Sequence, residues 1–234
     1  MTRAYSEAIA ERAYDSLGRM LDFAVRSLHI DAGTMMDLFI ASSAADAFGR
    51  GDIRLICGMS GTELAYEVLG RAGLTYERTA PRHTTSLSNE YWCGYVLARM
   101  QRESCMRFDE IIKSFSPSGI IAEFSGLRLK KLDSLPLTIS EAEKSAEMLR
   151  FGRGFANEMC ARLAGNFSGT ALKALRKKNK LSQSELASLS GIPVRTIQQY
   201  EQGQKDLRKA RSEYIIALSR TLNCEPSRLL CPAV

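Results

Sequence analysis

The chain has 234 residues, 45% apolar and 25% charged, with 17 glycines and 6 prolines, which excludes a disordered or fibrous protein and leaves room for one large globular domain or two modest ones. No run reaches the roughly 18 apolar residues that span a bilayer, so no membrane partner is expected. The net charge of +6 is unevenly placed: residues 1–165 carry 20 Lys+Arg against 21 Asp+Glu, and residues 166–234 carry 12 against 5.

The first stretch, MTRAYSEAIAERAYDSLGRM, mixes charge with apolar positions instead of forming a leader's apolar block, so a cytoplasmic protein is expected. From Tyr5, the residues Ile9, Ala13, Leu17, Met20, Ala24 and Leu28 recur every three or four positions, the stride of a long amphipathic helix. A second helix is expected from Asp31 to Phe48, closed at Gly49–Gly51, and apolar on more than one side. Ser60 stands three residues before Glu63, a capping-box spacing that opens a helix ending near Gly70 or Gly73.

After a polar connection from Leu74 to Ser88, NEYWCGYVLARMQ resumes the helical stride and holds Trp92, the sole tryptophan. This aromatic cluster reads as core packing, with a ligand pocket or a partner surface as the sharper alternative. FDEIIKSF and PSGIIAEF are shorter pieces, and LRLKKL is a lone strand-like alternation without a partner. A Thr138–Glu141 signal opens a helix running to about Leu163, with a kink expected at Gly152 and Gly154. The small, polar segment Ala164–Thr170 coincides with the charge step. The expected organisation is therefore an all-α protein with a helical domain over 1–165 and a basic domain over 166–234.

Catalysis has no constellation to stand on. His29 and His83 are the two histidines, and neither has a spaced set of ligands or a nucleophile motif beside it. No catalytic residue, metal or cofactor is expected. The six cysteines, Cys57, Cys93, Cys105, Cys160, Cys224 and Cys231, include no C-x-x-C and read as reduced core thiols.

A basic segment attached to a neutral one is the electrostatic footprint of a nucleic-acid-binding module. Within it, Ser182 and Glu185 form another capping box, Gly191 supplies a sharp turn, Ile192 plugs the corner and Pro193 opens a helix from Val194 to Gln202 that stops at Gly203. Two short helices across a glycine turn make a helix-turn-helix. Ile197 and Tyr200 anchor the second helix inward, which leaves Val194, Arg195, Gln198, Gln199 and Gln202 for its exposed face. Glutamine pairs bidentately with adenine and arginine with guanine in the major groove, whereas carboxylates are repelled by phosphates. SEYIIALSRTLNCEPSRLL supplies the fourth and fifth helices of this domain, with Tyr214, Ile215, Leu218 and Leu222 closing its core.

The run LRKKNKLSQSELASLSGIPVRTIQQYEQGQ resembles the Cro/repressor class of helix-turn-helix domains, the lambda repressor-like family, over about Ala171–Leu230. That resemblance implies a five-helix DNA-binding domain in which Gln183 approaches a phosphate or base edge. Val194, Arg195, Thr196, Gln198 and Gln199 would read the groove, while Gln202, Gln204 and Lys205 would approach the DNA backbone. It also implies a structural Arg176–Glu201 pair, and in Val194 it meets an apolar residue where the family has a polar one, suited to a thymine methyl. The expected function is a bacterial, dimeric, sequence-specific regulator of transcription that binds double-stranded DNA. A protein partner or small-molecule effector of residues 1–165 is left open. The alternative is an antitoxin whose first domain binds a toxin and whose DNA binding is autoregulatory, a reading that rests on a faint likeness of LDFAVRSL and GMSGTELAYEVL to helical segments of such bacterial regulators.

Overall fold

The computed structural model of the protein describes residues 4–82, 87–136, 138–166, 171–202 and 204–230. His83, Gly203, Cys231 and residues 167–170 of the expected linker lie outside the described residues. The fold is all-α, with no strand among the described residues. The chain divides into two compact units, one spanning Ala4–Cys160 and the other beginning at Ala161. No helix among the described residues is long and apolar enough to cross a membrane.

The first unit is organised around α1 (Ala10–Arg26) and α6 (Asn89–Ser104). Both helices bury residues around most of their circumference, including Leu17, Met20 and Phe23 on α1 and Trp92, Val96 and Met100 on α6. Their close crossing depends on glycine. A Cβ on Gly94 would fall on the Leu17 carbonyl, and one on Gly18 would stand 2.8 Å from the Tyr91 carbonyl oxygen. Arg102, whose side chain is 2% exposed, ties the crossing to the N-terminal segment: it donates to the Tyr5 carbonyl at 3.1 Å, the Tyr14 hydroxyl at 3.2 Å and Glu7 Oε2 at 2.6 Å. A buried guanidinium is tolerated here because three acceptors replace its water.

Around this pair pack α2 (Ala32–Ala41), α3 (Ala44–Gly49), α4 (Ile53–Ile56), α5 (Gly61–Arg71), α7 (Phe108–Ser114), α8 (Pro117–Asp133) and the first part of α9 (Glu141–Asn166). The capping box on α5 forms as expected, with Ser60 and Glu63 each answering the other's backbone N–H. Several expectations need correction. The helix expected over Asp31–Phe48 breaks into α2 and α3 at Ser43, which adopts a left-handed φ of 58°. The break lets Phe39, Phe48 and Phe108 meet edge to face, with ring centroids 5.3–6.2 Å apart.

LRLKKL, discounted as a strand for want of a partner, forms the last turns of α8, in keeping with the all-α expectation. The cap of α9 lies two residues beyond the expected Thr138: Ser140 Oγ accepts from the Glu143 amide at 3.3 Å, and Glu143 accepts in return. Helical structure continues through Gly152 and Gly154 as one element. Gly152 serves packing instead, since a Cβ there would lie within the Trp92 indole. Among the described cysteines, Cys93 and Cys160 are buried thiols, as read from the sequence, whereas Cys57 is exposed rather than in the core.

The second unit contains α10 (Ala171–Lys178), α11 (Gln183–Ser190), α12 (Val194–Glu201), α13 (Ser212–Thr221) and α14 (Pro226–Leu230). Leu172, Leu175, Leu186, Ile192, Ile197, Tyr200, Leu218 and Leu222 are in its core. Tyr214 packs at the core's edge, and Ile215 is half-buried rather than central.

Candidate nucleic-acid interface

Local chemistry positions α11 and α12. Ser182 Oγ accepts from the Glu185 amide at 3.1 Å while Glu185 Oε2 accepts from the Ser182 amide at 2.7 Å, which answers two of the N–H groups that the start of α11 would otherwise leave bare. Hydrogen bonds to its carboxylate from the Ser182 backbone and side chain lower the Glu185 pKa. Gly191 ends the helix with φ 69°, a left-handed value that glycine adopts at no steric cost. Ile192 then drops into the core at 2% exposure, and Pro193 stands as the N-cap of α12 rather than in its first turn.

Two residues, Ile197 and Tyr200, hold α12 against this core, as expected. A third inward side chain is charged. Glu201, 2% exposed, takes a two-pronged bond from Arg176 of α10: Nε to Oε1 at 2.7 Å and Nη2 to Oε2 at 2.9 Å. Arg176 Nη1 also donates to the Leu181 carbonyl at 2.7 Å, so the guanidinium ties α10, the turn after it and α12 together. Burial alone would raise the pKa of Glu201, but the hydrogen bonds from Arg176 and Gln183 prevail and hold it below the usual carboxylate value. Arg176 and Glu201 thus have the structural role that the resemblance implied.

Turning Glu201 inward removes the only acidic side chain of α12 from its outer surface. What remains outside is Arg195, exposed, with Thr196 and Gln199 half-buried beside it and Gln202 exposed at the exit. Gln204 and Lys205 follow, both exposed, and the Gln204 amide donates to Gln202 Oε1 at 3.0 Å. The Lys205 amide returns to the Gln199 carbonyl at 3.2 Å, which keeps the exit against the end of the helix.

Three of the expected DNA-contacting residues also have partners within the protein. Val194, expected on the exposed face, is half-buried and packs against the core. Gln183, expected to reach toward a phosphate, donates to Glu201 Oε2 at 2.8 Å. Gln198 is half-buried, with its amide nitrogen 3.5 Å from Gln183 Oε1. Sequence reasoning missed this Gln183–Glu201 link. Its signal was present in the pairing of Arg176 with Glu201, because a buried carboxylate with more than one donor recruits a neighbour able to donate.

Two short helices across a glycine turn, the second with an acid-free outer face, make a helix-turn-helix. Residues 172–229 match the family described as "Helix-turn-helix", the Cro/repressor class, and the match covers roughly a quarter of the chain. That family is regulatory rather than catalytic. No curated protein and no solved structure matches the chain. In the first unit, His29 is exposed with φ 57°, and no cluster of His, Cys, Asp and Glu among the described residues could hold a metal ion.

Proposed function

We propose that the protein is a dimeric, sequence-specific regulator of bacterial transcription, acting in the cytoplasm, in which residues 166–234 read DNA and residues 1–165 hold two copies together. The observation that carries this reading is the inward turn of Glu201 onto Arg176. It leaves α12 with an outer face of guanidinium, hydroxyl and amide groups, and no carboxylate to oppose phosphate. In this arrangement Arg195 and Gln199 contact base edges, with Thr196 beside them. Gln202, Gln204 and Lys205 approach the sugar-phosphate backbone, and Gln183 and Gln198 brace the reading helix. Two copies would place their reading helices on half-sites about 34 Å apart.

Selection of bound sequences from a random duplex pool tests the reading, with the mass of the complex measured by light scattering. The selected sites should be inverted repeats spaced by one helical turn. Arg195→Ala should relax preference at one base position of each half-site, worth about 1–3 kcal/mol. Lys205→Ala should weaken all sequences alike and flatten the salt dependence by about one unit of slope. Identical behaviour of the two variants, or no enrichment of any sequence, refutes the assignment.

A further inference from the structure

The unit spanning Ala4–Cys160 contains a cavity of about 520 Å³ bordered by α1, α6, α8 and α9, within the roughly 300–1,000 Å³ typical of small-molecule sites. Its deep wall is aromatic. Trp92 and Phe124 lie beneath it with ring centroids 5.8 Å apart, only 3% and 1% exposed, so the apolar surface open to the cavity is chiefly that of Leu132, Met148 and Leu149. The indole is immobilised from α9, where Gly152 lies so close that no Cβ would fit. Leu132 of α8 and Met148 of α9 add apolar sides.

The polar groups at this cavity are unequally satisfied. Asp15 uses both oxygens within the protein, accepting from Arg19 Nε at 2.8 Å and from the Tyr91 hydroxyl at 3.0 Å. Glu141 sits 3.7 Å from Lys144. Arg128 is the exception. Half-buried on the cavity wall, it donates to the amide oxygen of Asn89 at 3.0 Å, and no carboxylate among the described residues pairs with it. The cations Arg19, Arg128 and Lys144 therefore face the carboxylates Asp15 and Glu141, and the unmatched positive charge is that of Arg128.

From this arrangement we propose that the cavity binds a small organic acid, with an aromatic or aliphatic body against Leu132, Met148 and Leu149 above the Trp92 edge and a carboxylate on the Arg128 guanidinium. A planar guanidinium with spare donors matches a carboxylate's two oxygens, and partial removal from water strengthens the pair. An amine of the same shape meets the charge of Arg128 instead, and a neutral analogue leaves its donors unanswered. This site rests on the geometry of the first unit alone and is independent of the DNA reading.

Trp92 is the sole tryptophan, so its emission reports on the cavity directly. Phenylbutyrate, phenylbutanol and phenylbutylamine, which share one apolar body, are titrated into the full chain while tryptophan emission is followed. Phenylbutyrate should bind about tenfold or more tighter than the amine, a difference of roughly 1.4 kcal/mol. Arg128→Gln should erase that preference, and Arg128→Lys should keep most of it. Ser145→Phe, at an exposed position lining the cavity, should abolish binding of all three, with circular dichroism confirming that helical content is retained. Equal affinity for acid and amine overturns the proposal, as does an acid affinity untouched by Arg128→Gln. Absence of any saturable emission change at millimolar ligand does so too.

Discussion

Replacing Arg176 with Met probes the contact on which the outer face of α12 depends. Glu201 would keep its burial, at 2% exposure, and its hydrogen bond from Gln183, but would lose both guanidinium bonds. Removing one partner of a buried ion pair costs about 3–5 kcal/mol. Because the Arg176 side chain is 11% exposed and Gln183 still donates, the lower end, about 3 kcal/mol, is expected. At ~1.4 kcal/mol per tenfold, that raises the opening equilibrium of α11 and α12 by about a hundredfold. Hydrogen exchange of their backbone amides in the full chain, corrected for intrinsic rates, reads this directly. The effect must depend on pH with a definite sign. In the native protein the folded-state pKa of Glu201 is lowered, so its stabilisation is complete above the unfolded value near ~4.3 and is lost as pH falls through the folded value. In the variant, burial is no longer outweighed, the folded pKa rises above the unfolded one, and the variant gains stability as pH falls through that range. The gap between the two proteins should therefore be widest near about pH 7 and shrink toward about pH 4. Arg176→Met combined with Glu201→Met, apolar on both sides, should recover most of the loss. A gap that is constant with pH, or a double variant no better than the single one, refutes the reasoning.

Glycine substitutions separate packing from backbone strain. Gly94→Ala would force α1 and α6 apart, because the new methyl meets the backbone of Leu17 and Gly18 rather than a side chain able to move. Thermal unfolding of the first unit, followed by Trp92 emission, should show a loss of about 3 kcal/mol. Gly191→Ala meets nothing within 4 Å but must hold φ near 69°, so it should cost only the left-handed penalty of about 1–2 kcal/mol, read by hydrogen exchange in α11 and α12.

Features set by residues close along the chain were legible beforehand. The Ser60–Glu63 and Ser182–Glu185 boxes and the left-handed Gly191 follow from a hydroxyl, a carboxylate or a missing Cβ at a fixed offset. Features that depend on distant partners were not. A run apolar on more than one side gave no reason to break Asp31–Phe48 at Ser43, because the gain comes from Phe108, which joins Phe39 and Phe48 from far along the chain. The alternation of LRLKKL was set aside for want of a partner strand, but nothing nearby showed what it does as a helical surface, where it spaces Arg128 and Leu132 four apart on the side where both border the cavity. Gly152 was legible only as a site for a kink, because the Trp92 ring that requires it is sixty positions earlier.

The candidate interface shows the same division, and it changes what the glutamines between Gln183 and Gln204 are for. Position 183 must donate to a carboxylate that already holds an arginine, and its other atom must accept from Gln198. A glutamate there would set a second negative charge against Glu201, and a lysine would supply no acceptor for Gln198. An amide does both without adding charge. The neutrality of this brace matters outside as well as inside. With Glu201 consumed by Arg176 and Gln183 uncharged, the field at the outer face of α12 is set by Arg195 and, beyond the exit, by Lys205. On the proposed reading, attraction to DNA then comes from those cations, while discrimination among sequences falls to the side chains that the brace leaves unoccupied, Arg195 and Gln199 foremost.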